Sequence, residues 1–265
     1  MNILAVDTCL EPGSLALSCV DVSSSGEDHP VGESEVVVLP SGWRSVALHD
    51  EIHRLLARHD LTTENIDLYA VTAGPGAFTG VRLGLTAFKG LAEAHDKPLV
   101  PVSTLEVLAF SGVTWGHFAV TVGKKPGGTL FRVPSPSIIA PVFDARRGQV
   151  FAAVFKVTEA GEVPLEPIIP ESVCSLRSFL DRIKSSGIGT GRQFLRLCVT
   201  DESLLLPAIE EFSWTADSII KVSPQLAGTV ARMAASRFRE GKGTSALTAD
   251  AMYVRASDAE LFWKE

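Results

Sequence analysis

The chain has 265 residues, a formal net charge of −7, 46% apolar side chains and 21% charged ones. That is the composition of a soluble globular protein with room for one large domain or two modest lobes, and its acidic balance makes no general electrostatic case for nucleic acid. No apolar run approaches the length of a bilayer span, and Cys9, Cys19, Cys174 and Cys198 lie scattered without C-x-x-C spacing or a preceding secretory signal; a cytoplasmic protein with reduced cysteines and no membrane association is expected.

Asn2 to Thr8 (NILAVDT) reads as an apolar strand and Ser14 to Val20 as a second, with Pro12-Gly13 in the turn between them. Asp21 to Gly32 is polar and rich in Ser, Gly and acid, as loops are, and Glu35 to Leu39 is a third strand. After Pro40 and Ser41 a helix carries Leu48, Ile52, Leu55 and Leu56 along one face. Leu68 to Ala73 is a strand, Gly74-Pro75-Gly76 a sharp turn, and the apolar spacing then becomes helical, with Val81, Leu85, Phe88 and Ala92 on one stripe. Pro98 to Val102 follows as a strand, and Ser103 caps a helix from Thr104. This order suits a mixed sheet covered by helices.

Gly123 to Ser137 (GKKPGGTLFRVPSPS) reads as a surface insertion, and Lys124-Lys125 is too small a basic cluster to mark a nucleic-acid site. Ile138 to Phe143 and Gln149 to Val157 form a hairpin across Asp144 to Gly148, which opens a second lobe. A helix near Leu176 to Ile183, a glycine-rich link at Gly187 to Gly191, a strand at Leu195 to Val199, a helix at Glu202 to Phe212 and a strand at Ile219 to Val222 complete it. Ser223-Pro224 reads as the cap and first turn of a helix that places Leu226, Val230, Met233 and Ala234 inward. The expected division is a first lobe over 1–103 with helix 224–240 packing back on it, a second lobe over 104–222, and a partly ordered tail over 241–265.

Three features carry candidate chemistry. Gly80 and Gly84, four apart on the helix after GPG, each weaken a helix by about 1 kcal/mol relative to Ala, so a backbone approaches something closely there. A phosphate cradle lacks the Lys-Ser or Lys-Thr of a P-loop, and no dinucleotide fingerprint is completed; spacing alone favours helix-on-sheet packing inside one domain over helix-on-helix packing at an interface. His49 and His53 have the spacing of a shared metal, but Asp50 stands where a zinc protease has its Glu base and no third ligand is evident. Asp7 ends the first strand, where actin-like ATPases and sugar kinases place a metal and phosphate loop; the glycine and basic residues for that task are missing, and a carboxylate accepting turn amides is expected.

GPGAFTGVRLGLTAFKGLA, with ILAVDT at the start, DARRGQVFAA in the second lobe and YVRASDAEL at the end, resembles the TsaB (YeaZ) family over nearly the whole chain. The resemblance implies an α/β, two-lobed actin-like, sugar-kinase-like fold of mixed sheets flanked by helices. It further implies a non-catalytic subunit in threonylcarbamoyladenosine synthesis on position 37 of ANN-decoding tRNAs, one that dimerises with the paralogous catalytic subunit TsaD and activates it. A TsaE-like ATPase is a further partner, tRNA an indirect one, and a homodimer is expected when the chain is alone. In TsaD-like proteins two metal-binding histidines follow the glycine motif; the matching positions here are Thr104 and Leu108, which cannot ligate a transition metal. No cofactor bound strongly by this chain alone is implied, while ATP or ADP at the complex interface is compatible with the family. The resemblance also rereads the glycine track as a helix-on-helix interface, drawing on Leu48, Ile52, Leu55, Gly76, Phe78, Gly80, Val81, Arg82, Gly84 and Leu85. The chain departs from the family in having Ala77 and Cys9 where Ser is usual, and in the longer insertion at Gly123 to Ser137. Against this reading stand an active ATPase or kinase using Asp7 and a peptidase using His49 and His53.

Overall fold

A computed structural model of the chain describes residues 1–20, 34–40, 42, 45–115, 117–118, 137–158, 162–188, 194–205 and 219–254. It divides into one unit of Met1–Val107 with Pro224–Met252 and another of Leu108–Ser223 with Tyr253–Glu265. The division falls inside a helix, α3 (Thr104–Trp115), rather than ahead of it at 103/104.

The first unit is built on β1 (Asn2–Asp7), β2 (Ser14–Cys19), β3 (Ser34–Val38), β4 (Leu68–Thr72) and β5 (Leu99–Val102), in the order β3-β2-β1-β4-β5. β1 pairs antiparallel with β2 and parallel with β4, so the hairpin arm and the parallel arm meet at β1. β1 and β4 are buried on both faces, which is why they read as unbroken apolar runs. On one face α1 (Ser45–Ala57) and α2 (Phe78–Ala94) bury Leu48, Ile52, Leu55, Leu85 and Phe88 against Leu4, Val6, Tyr69 and Val71. Each such side chain contributes about 1.5–3 kcal/mol. Tyr69 and Phe88 meet edge to face at 5.8 Å. Strand alternation turns Ile3 and Ala5 the other way, where they are equally buried, and α5 (Ala227–Arg239) packs on β1 and β2.

Ser103 caps α3 as expected, its Oγ accepting from the Leu105 and Glu106 amides. The last helix departs from expectation. It begins at Ala227, not at Ser223-Pro224, and its N-cap Leu226 offers no side-chain acceptor. The Ala227 amide donates instead to Ser14 Oγ on β2, 3.0 Å away, so the sheet rather than the local sequence starts this helix. Beyond it, Thr244 and Leu99 exchange backbone hydrogen bonds of 3.0 Å, which fixes the first part of the tail to the β5 edge; 255–265 lie outside the described residues.

The second unit holds β6 (His117–Phe118), β7 (Ser137–Asp144), β8 (Val150–Val157), β9 (Leu165–Cys174), β10 (Phe194–Val199) and β11 (Ile219–Lys221), ordered β6-β11-β10-β7-β8-β9. α4 (Leu176–Ser185), capped by Ser175 Oγ on the Ser178 amide, buries Phe179, Leu180 and Ile183 in its core. β9 escapes the sequence reading because Pro167 and Pro170 break its strand pattern; among the described residues it pairs only with β8, and an edge strand tolerates prolines. The helix expected over Glu202 to Phe212 is, where described, a single 3-10 turn at Glu202–Leu204 closed by Leu205. The expected loop at 21–32, most of the 123–137 insertion and part of the 187–191 link lie outside the described residues.

Candidate functional site

β1 delivers Asp7, Thr8 and Cys9 to the place where β4 turns into α2. The turn uses Gly74 at φ +110, an angle that L side chains rarely adopt, and a Cβ there would sit 2.6 Å from the Met252 carbonyl oxygen. α2 starts without a side-chain cap at Ala77, whose amide donates to the Cys9 carbonyl at 3.2 Å.

The glycine track faces inward. A Cβ on Gly76 would lie 2.5 Å from Cys9 Cβ, and Cβ atoms on Gly80 and Gly84 would come well under 3.0 Å from the Thr8 carbonyl oxygen and Thr8 Oγ1. The Thr8 hydroxyl also donates to the Gly80 carbonyl at 2.7 Å. The glycines therefore admit the end of β1 from their own unit. This corrects the interface rereading: Gly76, Gly80 and Gly84 are not the opening for a partner helix, because Thr8 and Cys9 already occupy the space. It also leaves no anion cradle on that stripe.

The same correction extends to the apolar neighbours. Leu48, Ile52, Leu55, Val81 and Leu85 are buried within the unit. Of the expected contact set, Phe78 and Arg82 are exposed, with the Arg82 guanidinium carbon 3.8 Å over the Phe78 ring centroid. Thr86, one turn further on, is also exposed. The spacing 78, 82, 86 marks this outer stripe; Thr86 is the member that the expected set lacked.

Asp7 is fully buried. Its Oδ1 accepts from the Thr72 hydroxyl at 2.7 Å and from the Cys9 amide at 3.0 Å. Oδ2 is buried with no hydrogen-bond partner among the described residues. Burial raises the acid from 3.8 to about 6, against the lowering effect of the Thr72 and Cys9 hydrogen bonds. The adjacent Cys9 thiol, pushed up to about 12 by burial and then by the Asp7 charge, is not a nucleophile. The expected turn-amide role of Asp7 accounts for one carboxylate oxygen and leaves the other unexplained.

Thr104 and Leu108 are both buried, and neither offers a transition-metal donor. His49 and His53 are exposed on α1, and among the described residues no group of three His, Cys, Asp or Glu side chains could hold a metal. Among those residues no helix is long and apolar enough to cross a membrane.

A family model described as TsaD, tRNA N6-adenosine threonylcarbamoyltransferase, matches residues 44–195, more than half of the chain. The chain is 30% identical over 184 residues to the tRNA threonylcarbamoyladenosine biosynthesis protein TsaB of Bacillus subtilis, covering 69% of this chain and 66% of that protein. It is 27% identical to TsaB of Escherichia coli across 100% of this chain and 98% of that one. The chain belongs to the TsaB (YeaZ) family of the TsaD-like proteins. The solved YeaZ from Pseudomonas aeruginosa superposes with a TM-score of 0.64 at 21% identity, over 95% of this chain and 100% of that one. The fold described above, a mixed sheet flanked by helices in each unit, matches that of this solved structure. The threonylcarbamoyltransferase of Pelodictyon phaeoclathratiforme is 29% identical over 169 residues, and this chain spans only 48% of its length.

Proposed function

We propose that this chain serves tRNA threonylcarbamoyladenosine synthesis as a non-catalytic subunit that binds a TsaD-type catalytic subunit through the outer face of α2 and supports its activity. The observation that carries the reading is the filled glycine track. Where an actin-like enzyme needs space for phosphate beside β1, Thr8 and Cys9 lie against Gly76, Gly80 and Gly84. Phosphoryl or carbamoyl transfer needs positioned positive charge on the anion, and Asp7, Thr72, Thr104 and Cys9 supply none. The family names in the comparisons support the pathway; the exposed Phe78 and Arg82 support α2 as the contact, since an aromatic ring paired with arginine is the residue chemistry enriched at interface hot spots. A TsaE-like ATPase, a homodimer of the free chain, an adenine nucleotide at the subunit boundary and a cytoplasmic setting belong to the same proposal.

Mixing the chain with its cognate TsaD-type protein on a sizing column is expected to give a heterodimer. Phe78→Ala with Arg82→Ala should weaken it by at least about tenfold with an unchanged unfolding midpoint. A full-strength complex from that variant overturns the contact surface. Steady ATP turnover by the chain alone, lost in Asp7→Ala, would replace the whole reading with an active ATPase.

A further inference from the structure

The β7–β8 hairpin ends in a turn whose backbone contradicts its side chains. Asp144 pairs with Val150 in register, and the Ala145 amide donates to the Gln149 carbonyl at 2.9 Å, leaving Arg146, Arg147 and Gly148 as the loop. The Gln149 amide closes it on the Arg146 carbonyl at 3.1 Å. All three loop residues are left-handed: φ is 66° at Arg146, 57° at Arg147 and 71° at Gly148. The bond from the Gln149 amide to the Arg146 carbonyl makes Arg147-Gly148 the central pair, and positive φ at both is the mark of a type I′ hairpin turn, where Asn-Gly or Asp-Gly is favoured; Arg146, the residue before the pair, is left-handed as well. Gly148 suits its place and Asp144 Oδ1 accepts the Arg146 amide at 2.8 Å, but two consecutive arginines at positive φ remain strained, because a Cβ is crowded in this region.

The strands impose the conformation. β7 and β8 are buried along almost their whole length, and Phe143 and Phe151 stack across the hairpin at 5.2 Å, pinning its register beside the turn. Arg146 and Arg147 are both exposed at the tip. Arg146 approaches Asp144 only at 3.8 Å, with the two side chains 83% and 51% exposed, so this local pair holds it weakly. Unfavourable backbone angles kept by a rigid scaffold at a functional surface are a recognised pattern. What the tip gains is two adjacent, permanently charged forks of N–H donors, the geometry that matches phosphate oxygens.

We propose that Arg146 and Arg147 form a phosphate-contacting tip for the RNA backbone. This rests on the pathway reading above, in which the substrate is an RNA. The overall charge of −7 argues that such a contact is a local anchor and not a general basic surface.

The test measures binding of an unmodified ANN-decoding tRNA transcript by fluorescence anisotropy over a range of salt, using the full chain alone and mixed with its TsaD-type partner. Arg146→Gln with Arg147→Gln should lower the slope of log affinity against log salt by about two and weaken binding at low salt by at least about tenfold. Arg146→Lys with Arg147→Lys should keep most of the slope. Arg146→Asn with Arg147→Asn, which suits left-handed backbone, should lose the slope while its thermal midpoint equals or exceeds that of the parent. Unchanged RNA affinity in the Asn variant, or no RNA binding by the parent in either setting, overturns the proposal. Loss of the heterodimer in the Asn variant with an intact RNA slope assigns the tip to an acidic protein surface, and also overturns it. A normal heterodimer with unaltered RNA binding removes the tip alone; the expected drop in slope without any heterodimer removes the subunit reading and leaves the tip.

Discussion

Replacing Asp7 by Asn removes a charge that the fold holds at a loss. Burial lifts the Asp7 acid from 3.8 to about 6, so the folded state binds its proton more tightly than the unfolded chain does. The sign follows directly: between about pH 4 and pH 6 the folded state carries the extra proton, and stability falls as pH rises through that window. Above it the penalty is complete, and a rise from 3.8 to about 6 is worth about 3 kcal/mol. The geometry agrees, because Oδ1 is satisfied by Thr72 and Cys9 while Oδ2 is buried without a partner among the described residues. Urea unfolding of both proteins across pH 4 to 8 isolates the effect. Asp201, Glu202 and Glu240, whose acids are lowered by hydrogen bonds and nearby lysines, titrate identically in the two and cancel. The offset near pH 4 reports amide against carboxylic acid; its change with pH reports the charge. The Asn variant is expected to gain on the parent by about 3 kcal/mol between pH 4 and pH 7 and then level off. A gap that stays constant, or a parent that gains on the variant as pH rises, refutes a penalised carboxylate.

Gly80→Ala should destabilise by about 1–3 kcal/mol or more, since the methyl meets the Thr8 carbonyl, a backbone atom that cannot swing aside. Gly90→Ala on the same helix, with nothing within 4 Å, should stabilise by about 0.5–1 kcal/mol. Equal effects from the two in urea unfolding would show that the track is not a packing seam. Ser14→Ala should cost about 1–3 kcal/mol by stranding the buried Ala227 amide, and hydrogen exchange at the start of α5 should accelerate.

Period and punctuation made much of the fold readable in the chain itself. The apolar runs of β1 and β4, the stripe Leu48, Ile52, Leu55 and Leu56, and Ser103 as a cap are local patterns, and each survives because burial rewards that periodicity. Where local signals mislead, a distant partner is responsible. Ser223-Pro224 has the form of a helix start, yet Ser14 on β2 supplies the acceptor and the helix begins at Ala227. The prolines of β9 argue against a strand until its place at the sheet edge makes them harmless.

What the chain determined unaided was which residues are apolar, where they recur, and that glycines at 80 and 84 demand a close approach. Which neighbour comes close was a tertiary matter. Spacing along one helix carries no information about what lies across from it, and only the pairing of β1 with β4 brings Thr8 and Cys9 onto that stripe. The same holds for the unpartnered Oδ2 of Asp7 and the left-handed arginines at the β7–β8 turn: each is a conflict between a side chain and its surroundings, and the surroundings exist only once the sheets have formed.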